Sequence, residues 1–137
     1  MKTYTANALI RCVLNTEGNI GAAIQALDAE VECGHKLRLE TVLDAARGVF
    51  DLRDAIPSAA SWAMRLCDYT CKPEHQFHPI WRAVALKVSL YEKLGDIPNA
   101  TRHYDQLVAM GDASHEAAVV AERLYQSLCQ HEQFWAK

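Results

Sequence analysis

The sharpest chemical grouping in this 137-residue sequence is Cys67-x3-Cys71-x3-His75-x2-His78, two thiols and two imidazoles within twelve residues. These are the ligand types that hold zinc tetrahedrally. Cys67 and Cys71 stand four apart and share one face of a helix, and a bend at Pro73 would swing His75 and His78 back toward them. The spacing departs from zinc fingers, which separate their Cys and His pairs by about twelve residues. The simpler reading puts Cys67 in a core, Cys71 at a helix end and the two histidines in a solvated loop. That reading takes precedence, so neither a metal nor a cofactor is expected.

No other grouping carries a catalytic signature. His115-Glu116 lacks a second His at the spacing of zinc proteases, and no glycine-rich phosphate loop is present. The chain therefore reads as a binding or structural protein and not as an enzyme. Its net charge of −3, from 14 basic and 17 acidic residues, is unlike a free-standing nucleic-acid binder, whose affinity rests largely on phosphate neutralisation. Five cysteines without a disulfide-framework spacing suit reduced thiols in an intracellular compartment. No apolar run reaches the roughly 20 residues that span a bilayer. The first 16 residues hold Lys2 and Arg11 and no acid, a composition that suits an organelle-targeting segment, mitochondrial among others. The same stretch also reads as a first helix over about residues 4–15, and that reading is preferred.

The elements that would position any site are marked by a repeated phrase. Ile56-Pro57-Ser58-Ala59 and Ile97-Pro98-Asn99-Ala100 match, and Ile20-Gly21-Ala22-Ala23 is a looser copy. An Asn or Asp precedes each (Asn19, Asp54, Asp96), and the steps from Ile to Ile are 36 and 41 residues. Such a period predicts an all-α, right-handed stack of antiparallel helical hairpins in one domain. The units run over about 3–37, 38–74 and 79–113, with a final helix over about 114–130. Short connections make successive helices pack antiparallel. Helix four is predicted to open between Asp54 and Pro57, helix six at Pro98 with Gly111 as its stop, and Phe134 and Trp135 to seal the end. The small Ala of each phrase lets the second helix of a pair approach the first. A large residue at Ala23, Ala59 or Ala100 is expected to overpack and cost roughly 1–3 kcal/mol.

Two helical-hairpin families resemble these units. Tyr91-x3-Gly95-x4-Ala100-x3-Tyr104 resembles a tetratricopeptide repeat. Asn7-Ala8-Leu9-Ile10 and Gly18-x4-Ala23-x3-Leu27-x6-Gly34-His35-Lys36 resemble a pentatricopeptide repeat. The resemblance covers about residues 3–115, with the pentatricopeptide family preferred. It implies a module that binds single-stranded RNA in an organelle, one base per repeat. The matching reading positions are Asn7 with Arg38, Thr41 with Glu74, and Ala85 with His115. Only Asn7 is a usual reading residue, so the resemblance implies a structural part of an organellar RNA-processing or ribosomal assembly more than a base reader.

The expected binding set is Asn7, Arg11, Arg38, Arg47, Arg82 and Lys87, mostly on the first helices of the pairs, which line the concave face in such stacks. The expected partners are protein subunits of a larger assembly together with RNA. The alternative is a tetratricopeptide-like adaptor that grips a peptide or partner helix in its groove.

Overall fold

The structure, a computed structural model, describes residues 6–15, 20–32, 38–72 and 79–135. Among the described residues every regular element is a helix. In chain order they are α1 (Ala6–Asn15), α2 (Ile20–Glu32), α3 (Leu39–Phe50), α4 (Ala59–Thr70), α5 (Trp81–Lys93), α6 (Ile97–Met110), α7 (His115–Leu128) and α8 (Glu132–Trp135). None is long and apolar enough to cross a membrane. The contacts divide into two compact units, Met1–Phe77 and His78–Lys137.

In the first unit α3 packs against both α1 and α4, while α2 touches α4 and α1. Apolar residues at steps of three and four make this arrangement possible. Val42, Leu43, Ala46, Val49 and Phe50 of α3 are buried, as are Leu9 and Val13 of α1 and Ala23 and Leu27 of α2. Gly48 of α3 lies against α1, and a Cβ there would collide with the end of the Ile10 side chain. In α4 the Thr70 hydroxyl donates to the Cys67 carbonyl at 2.7 Å, which satisfies a buried polar group inside the helix itself.

In the second unit α5 and α6 form the main packed pair, α7 lies against both, and α8 rests on α6. Val88, Ile97, Ala100, Leu128 and Phe134 form its core, with Tyr91, Tyr104, Leu124 and Cys129 packed around them. The turn between α5 and α6 needs its glycine: Gly95 has φ +76°, a region that costs an L-residue about 1–2 kcal/mol. Gly111 at the end of α6 is there for a different reason. Its φ of −63° suits any residue, but a Cβ would sit 3.3 Å from Ala118 and 3.1 Å from the Val108 carbonyl oxygen. That glycine permits α6 and α7 to meet.

The two matching phrases fold differently. In the later copy Asp96 caps α6: its Oδ1 accepts from the Asn99 N–H at 3.3 Å, and its Oδ2 from the Asn99 side-chain amide at 2.7 Å. Helix six therefore begins at Ile97, with Pro98 in the first turn where its missing N–H has no intrahelical partner. In the earlier copy the residue before Ile56 is Ala55, which has no oxygen to cap with, and Asp54 stands one place too early. Residues 51–55 form turns, and α4 begins only at Ala59, with Ser58 making no side-chain cap. The common feature is the small residue: Ala23, Ala59 and Ala100 are all buried. Replacing Asp96 by Ala should cost about 1 kcal/mol of urea-unfolding stability, whereas Asp54→Ala should be near neutral.

The end of the chain also departs from the expected plain cap. Phe134 is buried as predicted, but it sits on a short helix of its own and its neighbour Trp135 is 61% exposed. The Trp135 indole N–H donates to the Cys129 carbonyl oxygen at 2.8 Å and holds α8 back against the end of α7.

Candidate interaction groove

The expected binding residues divide between the two units. In the first unit Asn7, Arg11 and Asn15 are exposed at successive four-residue steps along α1 and so share one face. Arg38 is exposed just before α3, and Arg47 is exposed near its end. Nine residues separate them, which places them about 180° apart around the helix. Arg47 lies in an exposed row with Glu40, Asp44 and Asp51, and its guanidinium pairs with the Asp44 carboxylate at 2.8 Å. With both side chains more than half exposed, that pair contributes a few tenths of a kcal/mol at most. It does lower the positive field that Arg47 presents to a phosphate.

In the second unit Arg82 and Lys87 are both half-buried on α5, five residues and about 140° apart. The Arg82 guanidinium lies 5.8 Å from the centre of the Trp81 ring, within cation–π range.

The thiol–imidazole grouping is described only in part. Cys67 is fully buried in α4 and Cys71 half-buried just beyond its end, while His75 and His78 lie outside the described residues. Among the described residues no group of three or more His, Cys, Asp or Glu could hold a metal ion. Cys12 and Cys129, both half-buried, are free thiols.

A groove of distinct geometry lies elsewhere, between α6 and α7. A groove of about 460 Å³ is lined by Tyr104, Val108, Gly111 and Asp112 on one side and Ala118, Ala121, Glu122 and Tyr125 on the other. On each helix the lining residues follow helical spacing, so each wall is a single ridge. Gly111 meets Ala118 at one end. At the other end the Tyr104 and Tyr125 rings have centroids 6.1 Å apart. Two lining residues, Val108 and Tyr125, are large apolar side chains left exposed, and Val119 is exposed on the same helix as Tyr125. The lining contains two carboxylates and no Lys, Arg or His.

The aromatic end of this groove is supported from behind. Phe134 of α8 meets Tyr104 and Tyr125 edge-on, with centroids 5.9 and 5.7 Å away, and Trp135 meets both Phe134 and Tyr125 in the same manner. Such edge-to-face pairs add about 0.5–1.5 kcal/mol beyond area burial. Burial, first, and the neighbouring Tyr125, second, push the Tyr104 phenol above its usual pKa. A polar tie fixes α8 and the end of α7 to α5. Glu92 Oε2 accepts from the Ser127 hydroxyl at 2.7 Å and lies 2.9 Å from His131 Nε2.

Sequence reasoning did not find this groove or its Glu92 tie. One signal was present: Val108 and Val119 fall on the otherwise polar outer faces of their helices. The partners of Glu92, 35 and 39 residues away, leave no such trace.

A second pair of polar residues links the helices of the first unit. Tyr69 of α4 has its phenol pushed well above the usual value, chiefly by burial and then by the Asp28 carboxylate of α2. Below the ordinary phenol pKa of about 10, folded and unfolded chains both keep the proton, and this tyrosine adds no pH dependence. Above it the unfolded chain loses the proton while the folded chain holds it. Stability should then fall as pH rises, by at most about 1.4 kcal/mol per unit for this residue. Urea midpoints measured between about pH 9 and pH 11 (about one unit either side of the phenol pKa) should show this decline, and Tyr69→Phe should lessen it.

No protein-family model matches the chain, and neither a curated protein nor a solved structure matches it.

Proposed function

We propose that this chain is a non-catalytic helical-repeat module that binds a partner protein through the groove between α6 and α7. The observation that carries this reading is the groove itself: an apolar floor, exposed Val108 and Tyr125, and a pair of carboxylates. Exposed apolar surface in a concave, rigid setting is the ordinary mark of a recognition site. The tetratricopeptide-like residues support the same reading. Gly95 takes the left-handed turn, Ala100 is buried between helices, and Tyr104 lines the groove. In this reading the short turns stack the helices as antiparallel hairpins, and the protein acts as an adaptor for a peptide or a partner helix.

A random-peptide display selection against the folded chain tests it, with Ala118→Trp as the counter-screen. Ala118 is exposed on the groove wall opposite Gly111, so the indole obstructs the groove, and an unchanged urea midpoint shows that the α6–α7 contact survives it. Peptides held by the native chain should lose about tenfold or more in affinity on Ala118→Trp. A selection that yields no peptide dependent on residue 118 would remove the proposal.

A second reading, a pentatricopeptide-like subunit of an organellar RNA–protein assembly, is favoured by one observation. Asn7 and Arg11 share the exposed face of α1, and Arg38 is exposed at the start of α3. In that case the purified chain retains RNA at moderate salt and loses it when Arg11 and Arg38 become Glu. The acidic row around Arg47 and the half-burial of Arg82 and Lys87 make this the weaker of the two.

A further inference from the structure

The chemistry of the groove also specifies its occupant. We infer that it takes a short amphipathic helix from another protein, one that carries arginine or lysine four residues apart beside an apolar stripe. The inference rests on the proposed function, since it names the partner of that same groove.

Three observations lead to it. First, the charge is one-sided: Asp112 and Glu122 line the groove and no basic side chain does. The unit around it is acidic as well, with seven carboxylates against five Lys and Arg over residues 79–135. A partner of the opposite sign is both attracted and correctly oriented by this field. An acidic partner is repelled.

Second, the groove offers a place for a cation. Glu122 and Tyr125 are three residues apart on one face of α7, and Tyr104 stands across from Tyr125. A guanidinium or ammonium group seated there meets the Glu122 carboxylate beside two phenol rings. A cation over such a ring is attracted by its quadrupole. Asp112 supplies the second charge at the other end, next to the Gly111–Ala118 contact. From Ala118 to Glu122 is one helical turn, about 6 Å along the axis. That rise matches two basic residues at i and i+4 on the bound helix.

Third, the walls favour a helix over an extended strand. Tyr104, Val108 and Gly111 form one ridge, and Ala118, Ala121 and Tyr125 the other, each about 10 Å long or two turns. Two ridges with a furrow between them accept the ridge of a third helix. No sheet edge is present among the described residues to pair with an extended chain.

Three acetylated, amidated peptides of about 16 residues test the inference, a length chosen so that an Ala-rich sequence has measurable helicity. All carry the same leucine stripe, and they differ only in two flanking positions four apart: Arg, Gln or Glu. Affinity is measured by calorimetry, and the site by amide shifts of Val108, Ala118 and Tyr125. The Arg peptide should bind about tenfold tighter than the Gln peptide, and the Glu peptide weakest. The gap should narrow in high salt. Glu122→Arg, a change at an exposed position, leaves one charge of each sign in the lining and should collapse the gap between the Arg and Glu peptides.

Equal affinity for all three, or a gap between the Arg and Glu peptides unchanged by Glu122→Arg, would overturn the inference and leave the protein-binding proposal in place. Failure of every peptide, together with no groove-dependent binder from display selection, would remove both. Self-association that Ala118→Trp abolishes would assign the groove to a second copy of the chain, and would likewise overturn the inference.

Discussion

Phe134→Ala should destabilise the second unit by about 3–5 kcal/mol, a larger loss than any surface change in that unit can produce. The ring is 6% exposed and belongs to the core with Val88, Ile97, Ala100 and Leu128. Truncation removes its buried area and leaves a cavity that the surrounding helices cannot close, because α8 is tied to α5 through His131 and Glu92 and to α7 through Trp135. It also removes the edge-on support of Tyr104 and Tyr125. Two readouts follow. Urea unfolding should show the stability loss, and near-ultraviolet circular dichroism at 25 °C (the reference temperature of these energies) should lose the tyrosine and tryptophan signal of the ordered cluster. On the proposal that the groove holds a peptide, that binding should weaken too, since the aromatic end of the groove is no longer held in place. Phe134→Leu, which retains most of the volume, should recover more than half of the stability. A loss below about 1 kcal/mol for the alanine variant would show that α8 does not complete the core.

Phe50→Ala should have a comparable effect in the first unit, again about 3–5 kcal/mol. Phe50 is the last residue of α3 and is 1% exposed. Its ring carries the Arg53 guanidinium 4.2 Å above its centre, and the same guanidinium donates to the Phe50 carbonyl oxygen at 3.3 Å. The residue therefore does two things at once: it fills the core under α3 and fixes the turn through residues 51–55 that leads to α4. Arg53→Met separates the two contributions. It removes the cation and keeps an apolar stem, so it should cost only about 0.5–1 kcal/mol. If Arg53→Met proved as damaging as Phe50→Ala, the ring's packing would not be the main contribution. Both variants are measured by urea unfolding, with helical content at 222 nm as the signal (the standard far-ultraviolet probe of a two-state transition).

The division between what was legible in the sequence and what was not follows from individual residues. The helices were visible because helix formation leaves a local record. Apolar residues at three- and four-residue steps, Asp96 ahead of Ile97 and the start of the last long helix at about residue 114 are all read within one or two turns. The Ser114 hydroxyl accepts from the Ala117 N–H at 3.3 Å, as an N-cap should. The small residues of the repeated phrase were legible for a related reason: a buried Ala at a fixed place in each unit has a packing meaning wherever the partner helix lies. The phrase misled only about the opening of α4. There a shift of one position between Asp54 and Asp96 decides whether a carboxylate can reach the N3 amide.

The candidate site was much less legible, because a binding surface is what packing leaves over. The arginines of α1 and α3 were identified as exposed, and Arg11, Arg38 and Arg47 are. Their expected common face depended on angles between residues far apart on one helix, and on Asp44 not holding Arg47. The groove between α6 and α7 could not be read from either helix alone. It exists because Gly111 and Ala118 bring one end of the pair together while Tyr104, Tyr125 and Phe134 hold the other end apart. By itself the sequence determined an all-helical chain, the places where most helices start and stop, and which alanines must stay small, since each of these is fixed by interactions within a few turns. Only the tertiary structure decided which apolar side chains remain uncovered and which carboxylates stand beside them. Those outcomes are set by contacts between residues far apart in the chain, and local patterning carries no record of them.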